Sequence, residues 1–203
     1  MVLPRRLIVG ITGATGIIYG VRLLELLRDA GIETHLVVSR AADMTRRHEL
    51  DLSGAELRAL ATVHHPVTDV GAAIASGSFR TMGMIVAPCS ARTLAEIATG
   101  STTSLLTRAA DVVLKERRRL VLLFRETPLH AGHIRNMLAA TEAGAVVMPP
   151  VPAFYTRPGS IDEIVTTTIC RALDLFDIDL GQLRRWGEDI PTRPSIGRGQ
   201  GER

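Results

Sequence analysis

A chain of 203 residues fits one domain, and 46% hydrophobic residues are enough for a sizeable core. A net charge of +3 does not demand nucleic acid, and 3% aromatics leave few rings on which bases could stack. No apolar stretch reaches the roughly 18 residues of a membrane helix, and two cysteines, Cys89 and Cys170, make no disulfide framework. The start, Met1 to Arg6, carries no secretory pattern, so a cytoplasmic protein is expected. Lys115 is the single lysine. Arginine suits bidentate contact with phosphate, which points to phosphorylated small molecules; the plain alternative is a soluble surface that happens to use arginine.

Along the chain, Leu7-Ile8-Val9-Gly10-Ile11 reads as a buried strand. Ile17, Val21, Leu24 and Leu27 then recur at helical spacing, so a helix is expected over Ile17 to Arg28. His35 to Val38 is a second strand, and Ser53-Gly54-Ala55-Glu56 is a capping box opening a helix. Met84 to Ala87 is a third strand, with a helix from about Ala91. Leu105 to Arg117 is helical, Leu120 to Phe124 a fourth strand, and His130 to Ala143 a helix. Ala145 to Met148 is the last strand, and Ser160-Ile161-Asp162-Glu163 a second capping box before the last long helix. This alternation predicts an α/β fold: a doubly wound, mostly parallel sheet with helices on both faces, in a single domain. The domain is expected to span residues 1–186. Residues 187–203, rich in Gly, Pro and Arg, are expected to form a mobile tail.

The chemistry gathers at strand ends. The first strand runs into Thr12-Gly13-Ala14-Thr15-Gly16 and then a helix, the context for holding a nucleotide or flavin phosphate at a helix N-terminus. The alternative is a glycine turn that only packs helix on strand. A short-chain dehydrogenase opens similarly but needs a Tyr with a Lys four residues on. Tyr19 and Tyr155 are followed at that spacing by Leu23 and Gly159. At the end of the second strand stands Ser39-Arg40, where a ribose-binding acid would be. Thr15, Ser39, Ser90, Thr93 and Arg125 all fall at carboxyl ends of strands, where doubly wound sheets bind ligands. Cys89 reads as a buried, inert thiol. His130 and His133 have metal-like spacing and His64 and His65 are adjacent, but no Cys or carboxylate cluster completes a site, so no metal is expected.

The stretches ITGATGIIYGVRLLE, ASGSF, IVAPCSARTLAEIA, LLTRAADVVLKERRRLVLLFRETPL and MPPVPAFYTRP resemble the UbiX-type flavin prenyltransferases, from about Leu7 to Trp186. The resemblance implies a Rossmann-like or flavodoxin-like subunit, assembly into dodecamers, and transfer of a dimethylallyl group to N5 and C6 of reduced FMN. The product, prenylated FMN, would serve a UbiD-type decarboxylase. On this resemblance FMN is held by Gly13, Ala14, Thr15, Ser39, Ser90, Ala91, Arg92, Thr93 and Arg125. Dimethylallyl phosphate meets Arg108, Lys115, Arg125, Tyr155 and Arg171, while Glu49 and Glu126 take the acidic positions near the reacting carbon and the phosphate. Lys115, with Glu49 and Glu126, belongs to the set that carries the reaction. Some of these positions are expected to meet only between subunits.

The bare residues leave Lys115-Glu116-Arg117-Arg118 open to another reading, a solvated helix end. Three departures from the family pattern stand out: Thr15 for a usual Ser, Arg40 for a usual Lys, and Thr103-Ser104 for an Asn or Asp-Gly pair. Rival readings are a flavin-dependent cysteine decarboxylase, suggested by His133-Ile134-Arg135-Asn136-Met137, a direct aromatic-acid decarboxylase, and a carrier that only hands FMN to a partner.

Overall fold

Apolar side chains on successive residues of a strand face opposite sides of the sheet, and in this chain both sides are covered. The computed structural model describes residues 5–190 and residue 192. Six strands form one parallel sheet: β1 (Arg6–Ile11), β2 (Glu33–Val38), β3 (Val63–His65), β4 (Gly83–Cys89), β5 (Arg119–Phe124) and β6 (Ala145–Val147). Their order is β3-β2-β1-β4-β5-β6, the Rossmann order, whose winding reverses between β1 and β4. The helices are α1 (Ile17–Asp29), α2 (Arg40–Glu49), α3 (Gly54–Ala59), α4 (Ala91–Ala98), α5 (Leu105–Lys115), α6 (Ala131–Glu142) and α7 (Ile161–Asp174).

Two cores follow from this layering. Leu7, Val9 and Ile11 pack with Leu24, Leu27, Leu57, Ile169 and Leu173, so α1, α3 and α7 cover one face. Ile8, Met84 and Val86 pack with Leu94, Leu106, Val113 and Ala140 beneath α4, α5 and α6. The strand interiors are buried on both faces, which is why they read as continuous apolar runs rather than alternating ones. Helix α6 is the outlier: it buries only Ala140 and leaves Ile134 and Leu138 more than half exposed.

Most expected elements stand within two residues of their observed bounds. Two were missed. Helix α2 buries only Ala42 and Arg46, so it lacks an apolar stripe. Strand β3 is a three-residue edge strand, Val-His-His, whose histidines resembled a ligand pair. His65 instead hydrogen-bonds His35 at 2.9 Å, and His35 reaches Glu33 at 2.8 Å. The first capping box is real. At the second, Ser160 caps α7, but the Glu163 carboxylate accepts the Gly159 N–H rather than that of Ser160. In the expected tail, Gly187–Ile190 make a turn closed onto Arg185 and Trp186. The rest of the tail, residue 192 apart, lies outside the described residues.

At the switch point, the buried Thr12 hydroxyl donates to the Pro88 carbonyl at 2.8 Å and accepts the Ser90 N–H at 2.8 Å. It ties the end of β1 to the end of β4. Thr12→Val keeps the shape and strands the Ser90 N–H. It should lower stability by about 1–3 kcal/mol, read as an earlier urea midpoint at unchanged slope. An unchanged midpoint would show that the tie is dispensable.

Candidate functional site

Three helices begin around one cavity beside the switch point. Its volume is about 470 Å³, within the range of small-molecule sites. Ser39, Ser90 and Ser104 all line it, and each is an N-cap, of α2, α4 and α5 in turn. Ser39 Oγ accepts the Ala42 N–H at 3.1 Å, Ser90 Oγ that of Thr93 at 3.3 Å, and Ser104 Oγ that of Thr107 at 3.3 Å. Helix starts carry partial positive charge and N–H groups that nothing inside the helix can satisfy. Gly13, Arg92 and Thr93 share the wall, with Arg40 at the start of α2. A Cβ on Gly13 would stand 2.4 Å from that of Ala41, so only glycine lets the β1–α1 turn lie this close to α2. Val67, Thr68 and Val70, after β3, close the cavity from the side of the edge strand.

The first glycine-rich turn behaves differently from the expectation. Gly16 adopts φ 99°, a left-handed conformation that favours glycine, and no side chain of its own caps α1. Glu49, at the end of α2, takes that place: its carboxylate accepts the Gly16 N–H at 3.0 Å, the Ile17 N–H at 2.9 Å and the Thr15 hydroxyl. An internal anion thus closes the N-terminus of α1, and the helix ends left for an outside anion are those of α2, α4 and α5. Thr15 therefore meets Glu49, Ala14 sits in the bend beside Gly13, and Ala91 is the first residue of α4, next to its cap Ser90.

The remaining expected residues are spread more widely. Arg125 follows β5, its N–H bonded to the Cys89 carbonyl at 3.0 Å, and its guanidinium has no ion pair among the described residues. Glu126 accepts the N–H of Thr127 at 3.1 Å. Arg108 pairs with Asp111 at 2.7 Å in the second turn of α5. Lys115 ends that helix, ten residues from Leu105 and hence about 15 Å along its axis. It pairs with Glu116 at 2.6 Å and lies beside Gly77, at the edge of the sheet opposite the cavity. Arg171 lies in the last turn of α7, bonded to Asp174 at 2.6 Å. Tyr155 sits in a single 3-10 turn, Phe154–Thr156. One chain therefore gathers Gly13, Ser39, Ser90, Arg92 and Thr93, and keeps Lys115 away from them.

Sequence reasoning missed three parts of the site. The Val67–Val70 wall lay in a segment without periodicity. Ser104 has a readable signal, a hydroxyl three residues before Thr107, which returns the bond to the Ser104 N–H at 3.3 Å. Trp186 packs edge-to-face on Tyr155, with ring centres 5.4 Å apart, a contact between distant segments. His130 and His133 stack at 3.7 Å where α6 begins. Among the described residues, no three His, Cys, Asp or Glu side chains are grouped to hold a metal ion. The described helices include none long and apolar enough to cross a membrane.

Comparison with known proteins places these features. A family model described as Flavoprotein matches residues 2–178. The chain is 58% identical over 185 residues to the flavin prenyltransferase UbiX of Escherichia coli (strain K12), covering 90% of this chain and 98% of that one. Among solved structures it resembles AnUbiX (PadA1) in complex with FMN and dimethylallyl pyrophosphate, with TM-score 0.88 and 52% identity over 90% of this chain and 97% of that one. It also resembles a dodecameric FMN-dependent Ubix-like decarboxylase from Escherichia coli O157:H7, with TM-score 0.87 and 50% identity over 89% and 98%.

Cys89, at the end of β4 beside Ser90, is fully buried, and burial pushes its thiol far above the usual range. Burial, with Asp174 and Asp179 adding to it, pushes Cys170 up to about 11. The thiolate is the nucleophile, so at pH 8 iodoacetamide should label neither cysteine in the folded protein and both after unfolding, as read by mass. Prompt labelling of native Cys89 would mean that it acts in the site.

Proposed function

Because the chain belongs to the Flavoprotein family, and within it to the UbiX flavin prenyltransferases, it is a transferase that uses FMN, and we propose that it joins a dimethylallyl group from dimethylallyl phosphate to N5 and C6 of reduced FMN. Prenylated FMN then passes to a UbiD-type decarboxylase. The observation that carries this reading is the cavity ringed by three hydroxyl-capped helix starts at the switch point. A flavin phosphate fits that donor set, with Gly13, Ala14, Thr15, Ser39, Ser90, Ala91, Arg92 and Thr93 holding FMN and Arg125 reaching it from β5. A cysteine decarboxylase or an FMN carrier leaves the Arg, Lys and Tyr set without a task.

Bound reduced FMN supplies an electron-rich ring that accepts the allylic carbon. The chain supplies the rest. A monophosphate leaves poorly unless the charge growing on its oxygens is met by donors. Arg108, Lys115, Arg125, Tyr155 and Arg171 offer fixed donors in place of a metal. Ring closure releases a proton, for which Glu49, Glu126 or the departed phosphate serves as acceptor. Glu49 already receives three donors at the start of α1, so taking a proton loosens its hold on that turn.

The distance of Lys115 from its own cavity supports a site shared between copies. The solved relative named dodecameric supports the same reading. So do the outward apolar side chains Ile134, Leu138, Val151, Phe154 and Ile161, 56–79% exposed in one chain, which a neighbouring copy would cover.

The decisive experiment incubates reduced FMN with dimethylallyl phosphate and weighs the released flavin. A gain of one dimethylallyl group supports transfer, and unchanged FMN overturns it. Activity should survive EDTA, because side-chain donors carry the phosphate charge. Full loss restored by magnesium would show a metal in that role. Lys115→Ala and Arg125→Ala should each lower the rate about a hundredfold or more, and only Arg125→Ala should also weaken FMN binding.

Glu49→Gln keeps the side chain's shape and removes its charge. Flavin should stay bound while the cyclised product forms more slowly. An unchanged yield would remove Glu49 from the proton step.

A further inference from the structure

We infer that Asp174 and Arg185 are positioning residues that aim Arg171 and Tyr155 at the phosphate of the prenyl donor. The inference rests on the reading of Arg171 and Tyr155 as phosphate-binding residues. Asp174 ends α7, and its side chain is only 14% exposed. Its Oδ2 accepts Arg171 Nη1 at 2.6 Å and Arg185 Nη1 at 2.9 Å, and its Oδ1 accepts Arg185 Nη2 at 2.9 Å. Arg185 also reaches Asp179 at 3.1 Å.

An exposed Arg–Asp pair three residues apart on a helix fixes little, because both side chains remain free to turn. Here a second guanidinium clamps the carboxylate with two parallel bonds. That clamp fixes the direction of Oδ2, and with it the guanidinium of Arg171. Arg171 is 52% exposed and spends one N–H on Asp174, so the others face outward for an anion. Asp174 and Asp179 together balance the two guanidiniums, so what an incoming phosphate meets is the outward N–H groups of Arg171 rather than a net charge of the cluster. Arg185, as the largest cause, together with Arg171 also holds the Asp174 carboxyl below the usual carboxylate range.

The same short segment reaches Tyr155. Arg184 donates to the Thr156 carbonyl at 3.2 Å, and Trp186 packs against the Tyr155 ring. Arg185 itself is held by a turn, its N–H donating to the Asp189 carboxylate at 2.8 Å and its carbonyl accepting the Ile190 N–H at 3.1 Å. Three consecutive residues, 184–186, therefore tie together two donors that arise from different elements.

The test uses the full FMN-loaded chain and steady-state kinetics with dimethylallyl phosphate. Asp174→Asn and Arg185→Lys, which lose the two-bond clamp without losing bulk, should each raise KM about tenfold, the usual order for a partner that orients an ion's direct ligand. kcat should stay near its original value, and FMN affinity should not change. Asp174→Glu should recover most of the loss. In an Arg171→Ala background, Asp174→Asn should add no further rise, since it acts through the guanidinium already removed. A KM unchanged by either clamp variant while Arg171→Ala raises it would overturn the inference and leave the phosphate reading intact. An equal rise with and without Arg171 would overturn it too, as a general loss of fold. If Arg171→Ala itself leaves KM unchanged, the phosphate reading fails and the inference falls with it.

Discussion

The site depends on how β1 and β4 are held where the sheet's winding reverses. The helix after β1 goes to one face and the helix after β4 to the other, so the chain parts beyond the two strand ends and opens a crevice. A parting of this kind leaves backbone groups without ladder partners. From the end of β1 the Thr12 hydroxyl serves two groups of the β4 end, the Ser90 N–H and the Pro88 carbonyl, which also accepts the Thr12 N–H at 3.2 Å; Thr12 itself is 1% exposed. In such a dry place an unmade bond is costly, so the two turns that wall the cavity stay in register with each other.

Electrostatics then decides which part of the crevice receives an anion. Four helices start near it, and the chain spends one of its own carboxylates, Glu49, on the first. The other three carry only neutral hydroxyl caps, so their partial positive charge faces the cavity. The turn that looks most like a phosphate loop in the sequence is thus the one already filled. Helix α5 shows the same economy: Ser104 at its start lines this cavity, and Lys115 at its end faces the opposite edge of the sheet. In the proposed assembly, one helix serves two sites.

The arginine-rich composition has a partly structural origin. Arg46 donates to the Leu52 carbonyl, Arg118 to those of Gly77 and Phe79, Arg119 to that of Leu175, and Arg184 to that of Thr156. Each holds a loop by its carbonyl, a task for which a planar group with several donors is suited. Arg125 is of another kind, at a strand end and without an ion pair among the described residues. Composition treats the two kinds alike.

The sequence by itself determined the layering of this protein. Runs such as Met84 to Ala87 and Leu120 to Phe124 are apolar on both faces, and only a covered parallel strand uses them so. Ser90 was legible because a cap sits next to the helix it opens, and Ser39 because it follows an apolar strand, while its own part as the cap of α2 was not. What stayed illegible is non-local. Helix α2 and strand β3 bury too little to show a period. The capture of the α1 start by Glu49 joins residues 33 positions apart, and the Trp186–Tyr155 contact joins segments 31 apart. Nor does spacing along the chain reveal that Lys115 points away from its own cavity. Local pattern reports which face of an element is dry, but which charges meet is decided by tertiary packing, because the folded chain places a helix end and a carboxylate within 3 Å without leaving any periodicity in the residues between them.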